Sequence, residues 1–285
     1  MLDICWKCDK DNKIDYVWFD TGLEYQATKE HLKYLENKYN IKIIKYKAIK
    51  PIPVACKEYG QPFISKHTSQ MVAILQRHNF KWEDEPFEEL LKKYPRCKSA
   101  LKWWCNETNP AYCIKQNRFL KEFMIENPIT FKVNYLCCDY AKKNVSHKIV
   151  KENNYDLVIT GIRKAEGGIR AIAYKSCYSE KENGKADNYR PLFWYKNTDK
   201  EEYEKHYKIK HSRCYTQYEF RRTGCACCPF GGRNLNDELE TISFYEPKLY
   251  KAVNSIFKES YEYTRRYREY YAEKKAELKK NKHKE

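Results

Sequence analysis

Asp15-Tyr16-Val17-Trp18-Phe19-Asp20-Thr21-Gly22 is a β-branched and aromatic run that stops at an acidic residue, a threonine and a glycine. A short apolar run closed by turn residues predicts a buried strand, and here a parallel one. From Thr28 onward Leu32, Leu35 and Tyr39 recur at helical spacing, and Asn40 ends that element before the strand-like run 41–46. Strand, helix and strand follow one another.

The alternation resumes further along the chain. Ala141, Val145 and Ile149 lie four apart, on one face of a helix, and Asp156-Leu157-Val158-Ile159-Thr160 predicts a second buried strand ending at Gly161. Such alternation predicts an α/β fold with a mostly parallel sheet and flanking helices, Rossmann-like, whose ligands bind beyond the carboxyl ends of the strands. Asp20-Thr21-Gly22 and Gly161-Ile162-Arg163 would both sit there.

Between about residues 60 and 130 the pattern is helical and aromatic, in pieces at 69–77, 87–93 and 117–125 punctuated by Pro86, Pro95, Pro110 and Pro128. It reads as an insertion. A helix is expected at 200–207, and Leu249, Val253, Ile256 and Phe257 form an amphipathic stripe. The expected division is a domain over 1–257 and a basic helical tail over 258–285, fraying from Lys274.

Of 285 residues 42% are hydrophobic, which supports a sizeable core, and 55 Lys and Arg against 39 Asp and Glu give a formal charge of +16. That excess suits either a solvated lysine-rich surface or an anionic partner such as a nucleotide, a sulfate ester or a nucleic acid. No stretch approaches the ~18 apolar residues of a membrane span, and the first residues lack a signal-peptide pattern. A cytoplasmic protein with no membrane partner is expected. In a reducing compartment thirteen cysteines are metal ligands, redox groups or small core residues, not disulfides.

Four cysteines are spaced as two pairs: the adjacent Cys137-Cys138, and Cys225 and Cys228 within Arg222-Thr223-Gly224-Cys225-Ala226-Cys227-Cys228-Pro229. Thiolates bind soft metals and iron clusters, and residues three apart converge in a turn. Buried core packing is the competing account. Cys177 and Cys214 are alternative ligands to the adjacent pair. Cys5 and Cys8 also form C-x-x-C, on a helix where core packing accounts for them.

Arg163 and Arg170 bracket Glu166 and two glycines after a predicted strand, where guanidinium forks and close backbone approach suit a phosphate or sulfate. Exposed arginines of an ordinary turn are the alternative. Asp20 suits a ribose, a magnesium ion or the capping of its own turn. His31, His147 and His206 read as helix-surface residues. No histidine pairs with a serine or cysteine as a nucleophile, and the nine glycines form no G-x-x-x-x-G-K loop.

In order along the chain these motifs resemble the phosphoadenosine phosphosulfate (PAPS) reductase family, within the adenine nucleotide alpha hydrolase and ATP pyrophosphatase group. Val17-Trp18-Phe19-Asp20-Thr21-Gly22-Leu23-Glu24 is similar to the family's strand and D-T-G-x-E turn. Ile159-Thr160-Gly161-Ile162-Arg163, through Glu166 and Arg170, resembles its substrate-binding segment, and Pro191-Leu192 with Trp194, Asp199 and Tyr203 the segment that follows it. The adjacent pair and C-x-x-C are similar to the pattern holding a [4Fe-4S] cluster in adenosine phosphosulfate reductases, with a like separation, 225 − 138 = 87 residues. The run from Arg222 to Phe230-Gly231 resembles the bacterial and phage branch of the group.

The resemblance implies an adenine nucleotide or sulfonucleotide bound by Asp20, Thr21, Gly22, Gly161, Arg163, Glu166 and Arg170. It also implies a cluster on Cys137, Cys138, Cys225 and Cys228, with zinc as the alternative. The implied reaction is reductive release of sulfite. Two departures qualify it: the family's S-G-G-x-D-S loop is missing before the first helix, as in a truncated start, and no cysteine follows Cys228 to serve as the family's C-terminal nucleophile. A thiol donor protein would then supply the attacking sulfur. The alternatives are sulfur transfer to DNA or tRNA, or a nucleotide-binding module without turnover.

Overall fold

Strand β1, Tyr16–Asp20, pairs in parallel with β2, Ile43–Lys47, in a register that sets Tyr16 against Ile43 and Asp20 against Lys47. The helix Gln26–Tyr39 connects them and stops at Asn40, which takes a left-handed conformation at φ 49°. Asparagine tolerates that region because its short polar side chain bonds locally, so the expected stop falls where the chemistry puts it. The computed structural model describes residues 1–181 and 186–282; at 168–170, 233 and 282 it describes the backbone only.

The second alternation is present too. Ala141, Val145 and Ile149 are buried on one side of a helical stretch that begins with a π turn, Asp139–Lys143, and continues as the helix Asn144–Glu152. It leads into β3, Leu157–Ile159, which pairs in parallel with β5, Asp187–Tyr189; β4, Tyr178–Ser179, lies antiparallel on the other side of β5. The architecture is α/β with small, mostly parallel sheets and a helical C-terminus.

Burial of the strands differs from the expectation. Val17 is 40% exposed and Leu157 39%, so neither strand is enclosed on both faces. In a two-stranded sheet each strand is an edge, and among the described residues β3 has a partner on one side only.

The chain divides into two compact units, each made from two segments. Met1–Ile49 with Ala141–Thr223 forms the α/β unit, and Lys50–Tyr140 with the segment from Gly224 onward forms a helical unit. The region expected as an insertion at 60–130 falls in the same unit as the C-terminal helices. Its pieces appear as the helices Lys66–Arg77, Phe87–Lys93 and Leu120–Glu126. The last helix, Lys258–Lys282, continues through the stretch expected to fray.

An aromatic core explains that grouping. Phe63, Leu75, Leu101, Trp103, Trp104 and Phe123 are buried, and Tyr263 of the C-terminal helix packs among them, 5.0 Å from Phe123 between ring centres. Burying a large apolar side chain contributes about 1.5–3 kcal/mol, and Trp104 also places its indole N–H 2.8 Å from the Glu83 carbonyl, satisfying its one polar group.

Candidate functional site: a cationic cleft and a thiol-bearing turn

The D-T-G-x-E turn after β1 is bonded to itself. The Asp20 carboxylate accepts from the Gly22 N–H at 3.0 Å and pairs with Lys45 at 2.6 Å. Burial pushes that carboxyl up, but Lys45 and the Gly22 amide outweigh it, and the net shift is downward. Gly22 has φ 78°, the left-handed region such a turn demands. Thr21 is fully buried and donates its hydroxyl to Glu24 at 2.6 Å; burial raises the Glu24 carboxyl despite that bond. Of the roles open to Asp20, the capping of its own turn is the one its bonds display.

A cavity of about 1240 Å³ opens in the α/β unit. It exceeds the usual ~300–1,000 Å³ of small-ligand pockets and has room for a nucleotide. Gly161, Arg163 and Glu166, just past β3, line it; Asp20, Thr21 and Gly22 are not among its lining residues. The Arg163 guanidinium Nη1 donates to the Lys196 carbonyl at 3.2 Å and to Asn197 Oδ1 at 3.1 Å, while Glu166 accepts from the Arg163 backbone N–H. That anchors the loop and leaves the rest of the guanidinium fork at the cleft. The side chain of Arg170 lies outside the described residues.

Other cations at the cleft went unremarked as ligands in the sequence. Lys200 and His211 both bond Glu204, at 2.9 and 3.1 Å. Burial raises the Glu204 carboxyl, but these two neighbours outweigh it and hold it below the usual range. Arg221 and Arg222 also line the cavity, and both are exposed. Neither has a hydrogen-bond or ion-pair partner among the described residues. At the cleft floor Asp3 accepts from the hydroxyls of Tyr203 and Tyr39, at 2.6 and 2.9 Å.

His31, expected on the helix surface, instead lines the cleft and is half-buried; His147 and His206 are exposed as expected. Burial, then the charges of His211 and Lys38, push the His31 imidazole below its ordinary value. The unfolded chain thus binds a proton that the folded unit resists, so His31 contributes stability above the ordinary histidine value of ~6.5 that is lost as pH falls below it. Melting temperature is expected to fall between about pH 7 and about pH 5, and less steeply in His31→Gln. Equal slopes for the two proteins would refute the assignment.

All four spaced cysteines belong to the helical unit. Cys137 and Cys138 end the short helix Leu136–Cys138, whose first N–H groups are capped by the Asn134 side chain at 2.8 and 3.3 Å. Cys225 and Cys228 flank a tight turn in which Cys227 takes φ 44°. A non-glycine residue there costs roughly 1–2 kcal/mol. Tyr261 holds the turn by donating its hydroxyl to the Cys227 carbonyl at 2.5 Å, and burial keeps that phenol protonated. Tyr261→Phe is expected to destabilise the helical unit by about 1–2 kcal/mol, read from the urea midpoint, because a buried carbonyl loses its donor.

Cys137 donates its thiol to the Tyr135 carbonyl at 3.9 Å, and Cys138 is its chain neighbour. Cys138 acts to lower the Cys137 thiol, but Cys56 and burial outweigh it and hold the Cys137 proton well above the ordinary thiol range. Among the described residues, no group of three or more His, Cys, Asp or Glu side chains could hold a metal ion. A single zinc would draw four sulfurs to within ~4 Å of one another, given Zn–S bonds of ~2.3 Å. An iron-sulfur cube spaces its ligands wider, one to each iron corner, and the thiol-only donor set suits it. Cys177 and Cys214 belong to the α/β unit, where Cys214 Sγ lies 3.7 Å from Thr28 Oγ1. On the first helix, Leu2–Cys8, Cys5 is buried, as core packing requires, but Cys8 is exposed and takes no part in a core.

A parallel βαβ unit with a cationic cavity past a strand's carboxyl end has the architecture of a nucleotide-binding α/β protein. The family model for the phosphoadenosine phosphosulfate reductase domain matches residues 1–230, and the chain belongs to that family. A nucleotide-binding, sulfonucleotide-related function follows from that membership. No curated protein matches the chain significantly. Among the described residues, no helix is long and apolar enough to cross a membrane.

Proposed function

We propose that this protein binds a sulfonucleotide in the cationic cleft and releases sulfite from it by reduction, and that Cys137, Cys138, Cys225 and Cys228 hold a [4Fe-4S] cluster. The observation carrying the substrate assignment is the unpaired Arg221-Arg222 doublet at the rim of a nucleotide-sized cavity in a PAPS reductase domain. Two guanidinium forks there neutralise phosphate and sulfate oxygens. Arg163, anchored through Nη1, presents its remaining donors, and Gly161 and Gly167 let backbone approach the anion.

Among the described residues, none that lines the cleft is a cysteine. The attacking thiolate is therefore assigned to a thiol donor protein. It forms a bond to the sulfate sulfur as the sulfur–oxygen bond to the nucleotide breaks and the nucleotide leaves with that oxygen. A second thiol of the donor then attacks the first cysteine's own sulfur, forming a disulfide as the bond to the sulfonate breaks and sulfite leaves with its electron pair, so the donor dithiol supplies both electrons. A bound cluster would supply a concentrated, polarizable charge in the helical unit.

Calorimetry with adenosine phosphosulfate, PAPS and ATP tests the substrate assignment. Tighter binding of a sulfonucleotide than of ATP is expected, and no measurable binding of any of the three would overturn it. Anaerobic purification with iron and sulfide analysis tests the cluster; colourless protein with stoichiometric zinc would remove it. The charge of +16 favours a second reading, sulfur transfer to DNA or tRNA. It requires nucleic-acid binding that weakens steeply with salt, since each phosphate contact releases counterions.

A further inference from the structure

When the sulfur–oxygen bond of a sulfonucleotide breaks, negative charge builds on the departing phosphate oxygen, and one side chain of the cleft is arranged to meet it. His211 lines the cavity, and its Nε2 lies 3.1 Å from Glu204 Oε2, the oxygen that also takes Lys200 at 2.9 Å. Nδ1 has no hydrogen-bond partner among the described residues, and the side chain is 37% exposed. A carboxylate on one ring nitrogen fixes the ring and favours the imidazolium, which leaves the other nitrogen to carry a transferable proton.

The chain holds that arrangement from both sides. Ile209 donates its N–H to the Glu204 carbonyl at 2.9 Å, which folds the segment bearing His211 back onto the helix Asn197–His206. On the other side the buried Ser212 donates its hydroxyl to the Ala27 carbonyl at 3.1 Å and caps the helix Arg213–Thr216. That helix carries Tyr215, whose ring meets the imidazole edge-on at 6.0 Å between centres and whose hydroxyl lies 2.8 Å from Thr223 Oγ1. Thr223 follows Arg222, so one ring contact and one hydrogen bond connect His211 to the arginine doublet.

The other charges near the imidazole are cationic. His31, of the helix Gln26–Tyr39, lines the same cavity and feels the charge of His211, and Lys210 sets its ammonium 5.8 Å from the centre of the Tyr34 ring. The remaining acids of the cavity are engaged elsewhere: Asp3 with Tyr203 and Tyr39, Glu166 with the Arg163 amide. A phosphosulfate drawn to Arg221 and Arg222 therefore approaches an imidazole whose carboxylate partner is Glu204.

We propose that His211 is a catalytic residue, the general acid that protonates the nucleotide oxygen as its bond to sulfur breaks. This rests on the sulfonucleotide reading above. The donor thiolate's electron pair forms the sulfur–sulfur bond, and the pair of the breaking sulfur–oxygen bond passes to the phosphate oxygen, which takes the Nδ1 proton. The nucleotide leaves with one negative charge fewer, and the neutral imidazole regains a proton from water. Glu204 is a positioning residue, orienting the ring and stabilising the imidazolium before transfer.

The test measures sulfite release by the full chain from adenosine phosphosulfate and from PAPS, with dithiothreitol as the dithiol, in wild type, His211→Gln and Glu204→Gln. In His211→Gln kcat should fall by about 100-fold or more while the calorimetric Kd changes far less, since glutamine keeps a hydrogen-bond donor but transfers no proton. Corrected for the thiolate fraction of dithiothreitol, wild-type kcat should fall as pH rises, and the His211→Gln profile should be flat. In Glu204→Gln the fall should move to lower pH, because the imidazolium loses its carboxylate. Wild-type kcat in His211→Gln, or the same fall at high pH, would overturn the inference and leave the sulfonucleotide reading standing. Loss of binding as large as the loss of kcat would make His211 a binding residue and overturn it likewise. Wild type that bound no sulfonucleotide, or released no sulfite, would overturn both.

Discussion

Gly60→Ala is expected to destabilise the helical unit by about 3 kcal/mol or more, a large share of a typical domain's ~5–15 kcal/mol. Gly60 ends the helix Ile52–Tyr59 at φ 117° and ψ 164°, a region essentially reserved for glycine. A Cβ built there would meet the Lys132 carbonyl oxygen at 2.5 Å and its carbon at 2.7 Å. Both are backbone atoms, held by the bonds that Gln61 makes to Lys132 and Asn134, so no flexible side chain can swing away. The chain around residues 132–134 must move, and with it the cap of the helix bearing Cys137 and Cys138. Chemical unfolding should show the loss directly, and metal analysis should show a lower content of the proposed cluster in whatever protein remains folded. An alanine variant with the wild-type midpoint would mean that these two segments do not lie against each other.

The Arg221→Ala, Arg222→Ala double variant is expected to weaken sulfonucleotide binding by at least ~100-fold. Hydrogen bonds to charged groups contribute about 1.5–3 kcal/mol each, and a tenfold change in affinity corresponds to ~1.4 kcal/mol. Both side chains are exposed, so their loss should leave the melting temperature within about a degree of wild type. That separates a binding defect from a folding defect. The affinity of wild type should also fall with added salt more steeply than that of the variant, because the arginines carry much of the electrostatic attraction. Unchanged affinity in the double variant would sink the proposed placement of the anion.

Much of the α/β unit is legible locally. The run ending at Asp20-Thr21-Gly22, the helix closed by Asn40, and Ala141, Val145 and Ile149 on one buried face all follow from short-range periodicity and turn chemistry. The extent of strand burial was not legible, because it depends on how many neighbours each strand acquires. His31 shows the same limit: its helix was readable, but its position at the cleft depends on which elements pack across from that face.

The candidate site divides in a similar way. Spacing alone singled out Cys137, Cys138, Cys225 and Cys228, and the fold assigns all four to the same helical unit. Arg221 and Arg222 were visible as residues beside the cysteine motif, but nothing in their order showed that they would remain unpaired while Lys200 and His211 are taken up by Glu204.

By itself the sequence determined the strand–helix alternation, the glycine and aspartate turn, the excess of positive charge and the paired cysteines, because each is set by neighbours within a few residues. Tertiary structure alone decided that the 60–130 segment groups with the C-terminal helices and that His31 lines the cleft. Those outcomes depend on contacts between residues tens to hundreds of positions apart. Such contacts form when burial of groups like Trp104, Phe123 and Tyr263 outweighs the entropy of ordering the chain between them.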